Sequence, residues 1–250
     1  VYDLTKTSGD DGFETKITAS DGASGDFFGH SVAIDGTTLV VGAYNDDGNR
    51  TESGSVYIYD LNKNSGEEGF ERKITASDGS TQDYFGYSVK IDGSTLVVGA
   101  YGDDDKGERS GSVYVYDLTK TPEDDGFETK ITALDGAASD RFGWSVAIDG
   151  TTLVVGAWAD DDNGTDSGSV YVYDLTKTSE DGGFETKITA SDGANNDIFG
   201  YSVAIDGTTL VIGAYGDDNS SGSVYVYDLT KTSGDDGFET KITASDGASG

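Results

Sequence analysis

The chain alternates short apolar runs with short polar ones. In the first complete cycle the apolar runs are "GHSVAI", "TLVVGA", "GSVYIYDL" and "FERKITA", rich in β-branched and aromatic residues and bounded by Gly, Asp or Ser. That is the pattern of strands. No stretch carries the i, i+3, i+4 apolar spacing of an amphipathic helix. The second run is almost wholly apolar, and the third sends Val56 and Ile58 to one side and Tyr57 and Tyr59 to the other. Both faces of such a sheet need cover, so the pattern predicts small sheets stacked face to face.

The cycle returns along the whole chain. "FGHSVAIDG", "FGYSVKIDG", "FGWSVAIDG" and "FGYSVAIDG" place Gly29, Gly86, Gly143 and Gly200 at steps of 57 residues. "SGSVY" recurs at Gly54, Gly111, Gly168 and Gly222, and its last step is 54 because the preceding loop is three residues shorter. A loop that tolerates deletion belongs on the surface. Asp35-Gly36, Asp92-Gly93, Asp149-Gly150 and Asp206-Gly207 join the first two runs of each cycle, and glycine supplies the positive φ of a tight hairpin. The expected fold is all-β: tandem four-stranded antiparallel blades of about 57 residues, of the β-propeller type.

FG, then GA, then SGSVYVYD at fixed spacing resembles the FG-GAP repeat over the whole chain. That repeat is the blade unit of integrin alpha-subunit propellers and of many secreted or cell-surface proteins. The resemblance implies a propeller-type fold and an extracellular or cell-surface location. Two departures limit it. The calcium loop that integrin blades carry between their first two strands is here only the Asp-Gly turn, so that metal site does not transfer. The proline of the family signature is replaced by Tyr44, Tyr101, Trp158 and Tyr215.

The blades divide the chain at 26–82, 83–139, 140–196 and 197–250, which leaves 1–25 as a half-blade holding only third and fourth strands. Residues 1–25 and 226–250 are identical letter for letter, whereas the copies between them have drifted. Alone, the half-blade would expose an apolar face and an unpaired edge. Its missing inner strands are expected from earlier sequence or from a neighbouring copy. With no methionine and a first residue inside a repeat, the chain is expected to be a processed piece or a window on a longer array.

Charge narrows the partners. Lys and Arg number 16 against 47 Asp and Glu, a formal charge of −31, so no nucleic-acid partner is expected and cations are the natural company. No apolar run approaches the ~20 residues of a membrane helix, so no membrane insertion is expected. The chain has no cysteine and one histidine, His30. It lacks a thiol nucleophile and has a single imidazole, and although carboxylate pairs of the glycosidase kind abound, a surface with 47 acids offers them by chance, so it is not expected to be an enzyme. The Gly-x-Ser after each FG sits in a strand, without the second glycine and helix of a nucleophile elbow.

Three sets of residues are candidates for binding. The loops between second and third strands read "NDDGNRTES", "GDDDKGERS", "ADDDNGTDS" and "GDDNSS". They offer Asp47, Asp103, Asp105, Asp160, Asp162, Asp166 and Asp217 as oxygen ligands for calcium, and no other cofactor is expected. A second acidic loop, with Asp21 and Asp26, then Asp78 and Asp83, Asp135 and Asp140, and Asp192 and Asp197, should emerge on the same side and could share an ion. Asn49, Asn163 and Asn219 each begin an Asn-x-Ser/Thr sequon in the loop between second and third strands, candidates for glycosylation in a secretory pathway. Tyr44, Tyr101, Trp158 and Tyr215, beside His30, Tyr87, Trp144 and Tyr201, could present rings to a glycan or wedge neighbouring blades together.

Two functions fit. The leading one is a non-enzymatic secreted repeat protein, a structural block of an extracellular fibre, sheath or matrix whose partners are copies of itself or adjoining repeats. The other is a calcium-dependent cell-surface adhesin that binds a glycan or protein through the acidic, aromatic loop face.

Overall fold

The computed structural model describes residues 1–2, 4–12 and 14–244, with the backbone alone at residue 219. The strands form four sheets in chain order. Sheet 1 holds β1 (Ser31–Asp35), β2 (Thr38–Ala43), β3 (Ser55–Asp60) and β4 (Glu71–Ile74). Sheet 2 holds β5 (Ser88–Asp92), β6 (Thr95–Ala100), β7 (Ser112–Asp117) and β8 (Glu128–Ile131). Sheet 3 holds β9 (Ser145–Asp149), β10 (Thr152–Ala157), β11 (Ser169–Asp174) and β12 (Glu185–Ile188). Sheet 4 holds β13 (Phe199–Asp206), β14 (Thr209–Ala214), β15 (Ser223–Asp228) and β16 (Glu239–Thr243). Every sheet is an antiparallel meander in sequence order. Gly36, Gly93, Gly150 and Gly207 open the first hairpin of each at φ between +55 and +57. The only helix among the described residues is one turn, α1 (Asp217–Ser220). It closes the loop that is three residues short, where the sequence has no helical periodicity.

The pleat gives each sheet two unlike faces. In sheet 1, β2 and β3 pair Leu39 with Tyr59, Val41 with Tyr57 and Val40 with Ile58. Leu39, Val41, Tyr57 and Tyr59 therefore share the face toward the chain start, here called leading, and Val40, Val56, Ile58 and Ile74 the trailing face. The trailing face of sheet 1 packs on Phe85, Leu96, Val98, Tyr114 and Tyr116 of sheet 2. The same joint recurs between sheets 2 and 3 and between sheets 3 and 4. The chain thus has a series of apolar layers between sheets in place of one core.

Each joint also brings backbone against backbone. Gly54 forms a parallel bridge with Phe85, and a Cβ there would lie 2.0 Å from the Phe85 carbonyl oxygen. Only glycine permits that approach. Ser31 Oγ donates to the Gly86 carbonyl at 2.7 Å, and the Gly93 N–H donates to the Asp35 carboxylate at 2.6 Å. The next joints repeat both contacts, through Ser88 and Ser145 and through Asp92 and Asp149.

The two ends of the stack lack these neighbours. Val32 and Ile34 of β1 are 60% and 58% exposed, whereas Val89 of β5 and Val146 of β9 are 3% exposed. At the other end Val224 and Ile242 are 39% and 53% exposed, against 0% and 7% for Val56 and Ile74. Among the described residues, the segment 1–25 makes one bridge, Tyr2 to Glu14, and no strand. A third strand without first and second strands has nothing on which to build a ladder. The segment instead lays Ile17 and Ala19 against Phe28, Tyr57 and Tyr59 on the leading face of sheet 1. At the next joint Ile74 and Ala76 hold that place.

Candidate functional site

The acidic loops converge where the third and fourth strands cross the edge of a joint. The register pairs Tyr114 of β7 with Lys130 of β8, so both side chains stand on the leading face. The Lys130 ammonium lies 5.3 Å from the Tyr114 ring centre. Three carboxylates surround it: Asp78 at 2.7 Å, Asp103 at 2.8 Å and Asp105 at 2.7 Å. The Tyr114 hydroxyl lies 2.7 Å from Asp78 and 3.1 Å from Asp103, bridging the two loops. Lys187 repeats the arrangement with Asp135, Asp160 and Asp162 at 2.8, 2.9 and 2.6 Å. Lys241 does so with Asp192, Asp217 and Asp218 at 2.7, 2.6 and 3.3 Å. In sheet 1, Lys73 meets only Asp21 and Asp46, at 2.7 and 3.0 Å, because Gly48 stands where Asp105 and Asp162 stand in the later repeats.

Opposite charges at this distance set the protonation states. Burial alone would lower the Lys130 pKa, but hydrogen bonds to Asp103, Asp105 and Asp78 outweigh it and hold the ammonium above the usual lysine value. Asp78 and Asp135 are likewise desolvated, and the lysine and tyrosine bonds still hold both below the usual carboxylate range. Burial and the adjacent aspartates push the Tyr114 and Tyr171 phenols upward. The cluster is a charged lysine held by carboxylates from two loops, with a neutral tyrosine hydroxyl between them.

Of the calcium candidates, Asp103 and Asp105 meet at Lys130, Asp160 and Asp162 at Lys187, and Asp217 reaches Lys241. Asp47 and Asp166 stay in loop turns: Asp47 accepts the Glu52 N–H at 3.0 Å, and the Asp166 N–H donates to Asp161 at 2.7 Å. Among the described residues no group of three His, Asp or Glu side chains is arranged to hold a metal. The lysine was missed because acidic loops were weighed without their cationic partner. The signal was legible, since "FERKI" and "FETKI" put one of only 16 basic residues opposite the first tyrosine of every repeat.

The aromatic candidates form a row across the joints. Tyr44 meets His30 at 4.7 Å between centroids, His30 meets Tyr87 at 4.7 Å, and Tyr87 meets Tyr101 and Trp144 at 4.6 and 4.5 Å. Trp144 continues to Trp158 and Tyr201 at 5.6 and 5.5 Å, and Tyr201 to Tyr215 at 4.7 Å. Most of these contacts are edge-on or tilted, so one ring's edge meets another's face. The Arg141 guanidinium lies 4.6 Å from the Trp158 ring centre. Tyr215, at the end of the row, is 54% exposed. The sequon amides are also engaged: Asn49 Nδ2 donates to Thr75 Oγ1 and the Ala76 carbonyl, and Asn163 Nδ2 to the Ala190 carbonyl. The side chain of Asn219 lies outside the described residues.

The family model for the FG-GAP repeat matches residues 12–59, 69–116, 126–173 and 183–227. The chain belongs to the FG-GAP repeat family. No curated protein matches it. Among solved structures it is similar to the computationally designed Ika4 protein at 17% identity and a TM-score of 0.48, over 86% of this chain and 99% of that one. The match starting at residue 69 takes in β4 of sheet 1 and runs to β7 of sheet 2. An FG-GAP unit of sequence therefore straddles a joint, and the first unit starts within the segment that covers sheet 1.

A second set of carboxylates runs against the first. Asp83 and Asp140 are 3% and 7% exposed, and each accepts one backbone N–H, from Ser80 at 2.6 Å and Ala137 at 2.7 Å. Burial, with repulsion from Asp103 and Asp160, pushes both up to about 6. Their folded values lie above the unfolded one, so their stabilising contribution is complete below about pH 4 and is lost as pH rises through 6. Asp83→Asn keeps the acceptor oxygen and removes the charge. It is expected to raise stability at pH 7.5 by about 2 kcal/mol and to change nothing at pH 4. Urea titrations at the two pH values check this, and an equal effect at both would refute the assignment.

Proposed function

We propose that this chain is a non-enzymatic structural building block of an extracellular fibre, sheath or matrix, composed of propeller-type FG-GAP blades. The observation that carries the reading is the state of the two ends. Three inner joints use one set of contacts, and each end of the stack exposes one half of the same set, Val32 and Ile34 at the start and Val224 and Ile242 at the finish. The acidic loops support the same reading, because one of the chain's own lysines engages two or three of their carboxylates in each repeat. Among the described residues no helix is long and apolar enough to cross a membrane.

Negative-stain images of the native material, with antibody labelling of this chain, test the proposal. Labelled continuous fibres or sheets are the expected result. Isolated rings on a cell surface would replace it with the adhesin reading, which the partly exposed aromatic row favours. In that reading Tyr215 and its neighbours would meet a glycan or protein, and calcium would enter the loops only where a lysine withdraws.

A further inference from the structure

At each inner joint a Phe-Gly corner of one sheet enters a two-glycine gap in the sheet before it. Phe85-Gly86, Phe142-Gly143 and Phe199-Gly200 are the corners, and Gly42 with Gly54, Gly99 with Gly111, and Gly156 with Gly168 are the gaps. The chain carries one unused corner and one unused gap. The corner is Phe28-Gly29. Phe27 and Gly29 have φ of +54° and +92°, against +58° and +91° for Tyr84 and Gly86. The Gly29 N–H donates to the Gly42 carbonyl at 3.0 Å, as the Gly86 N–H does to Gly99 at 3.1 Å. A Cβ at Gly29 would meet nothing within 4 Å, whereas one at Gly86 would lie 2.6 Å from the Ser55 carbonyl oxygen. The unused gap is Gly213 with Gly222. No backbone of another sheet approaches it, and a groove of about 390 Å³ runs there, lined by Tyr201, Tyr215, Val224 and Ile242 among others. Ser202 and Asp206 stand where Ser145 and Asp149 bind the next sheet at the preceding joint.

We propose that a second copy of this chain docks head to tail: its Phe28-Gly29 corner enters the Gly213/Gly222 gap, and its residues 1–19 yield their place to residues 226–244 of the first copy. It deepens the building-block reading and rests on it for purpose, though not for geometry. The occupant is set by continuity with the three inner joints, since the exposed faces are the two halves of one repeated contact. The exchange is set by sequence, because residues 226–244 and 1–19 are identical. Ile242 and Ala244 of one copy thus take the seat that Ile17 and Ala19 hold on the leading face of the other. Residues 1–19 act as a removable cover that lowers the fraction of heads ready to join. With −31 charges on each copy, the joint strengthens with salt, as the Debye length falls from about 10 Å at 0.1 M to about 3 Å at 1 M.

The test uses full-length chains in sedimentation velocity at low and high salt, with matching thermal melts as the check on folding. Val32→Lys blocks the head and Ile242→Lys the tail, and both sites are solvent-exposed in the single chain. Each variant alone is expected to stay monomeric at concentrations where the unaltered chain associates. Their equimolar mixture is expected to form a dimer and stop there, more readily at high salt. Adding Ile17→Ser to the Ile242→Lys chain loosens the cover and should tighten that dimer about tenfold. The proposal is overturned if the mixture remains monomeric at every attainable concentration, if either variant alone associates like the unaltered chain, or if Ile17→Ser weakens the dimer. Native fibres combined with a monomeric mixture would sink this joint and leave the building-block reading standing. A dimerising mixture without any native extended material would do the reverse.

Discussion

Replacing Lys130 with methionine is expected to destabilise the chain by about 2–3 kcal/mol: Asp103 is buried and loses its cation, while Asp78 and Asp105 are 48% and 52% exposed and solvent screens part of the loss. Asp78, Asp103 and Asp105 would face one another, with the single proton of the Tyr114 hydroxyl between Asp78 and Asp103 and the Asp105 N–H on Asp103 as the donors that remain. The methylene stem and its packing on the ring are largely kept, so the loss reports charge and not volume. Denaturant titration of the unaltered and altered chains gives the number. The same pair of proteins tests the calcium reading. If those loops have the geometry to hold a hard cation, millimolar calcium restores part of the lost stability in Lys130→Met and adds little to the unaltered chain. A variant as stable as its parent would show that the cluster is solvated and holds nothing together.

Gly111→Ala is expected to cost about 4 kcal/mol or more, and Gly222→Ala only about 1–2 kcal/mol. Both glycines have positive φ, +85° and +76°, so the conformational strain of alanine is shared. They differ in what lies beyond. A Cβ at Gly111 would lie 2.0 Å from the Phe142 carbonyl oxygen, and one at Gly222 would lie 3.4 Å from the nearest atoms of Tyr215. The alanine at 111 must push sheet 3 away from sheet 2 and break the bridge between Gly111 and Phe142. The difference between the melts of the two variants isolates the close approach of the sheets. Equal losses would mean that backbone contact across the joint contributes little.

The strands and their pairing were legible because alternation leaves little choice. In "SVYVYD" the valines and tyrosines cannot share a face, and an Asp-Gly turn fixes the hairpin before it. The glycines were legible as turn residues at Gly36 and its copies. The role of Gly42 and Gly54 was not, because the atoms they admit belong to Phe85 and Gly86, some 30 to 45 residues further on. The site was half legible for a similar reason. Runs of aspartate announce a cation, but its identity depends on a lysine two strands away whose position follows only from the register Tyr114 to Lys130. Asp83 and Asp140 were legible as recurring members of the second acidic loop, but their burial was not, since the loop reads like any other acidic turn.

Each sheet packs on the sheets beside it, and every inner joint repeats one pattern of contacts. Inserting or removing one 57-residue period would therefore leave all remaining contacts as they were. For most folds a change of that size is ruinous; for this one it is structurally silent. Slippage or unequal exchange between repeated stretches of the coding sequence would yield longer and shorter proteins of equal soundness. Length is then free to drift or to be selected by itself, without altering a single side chain.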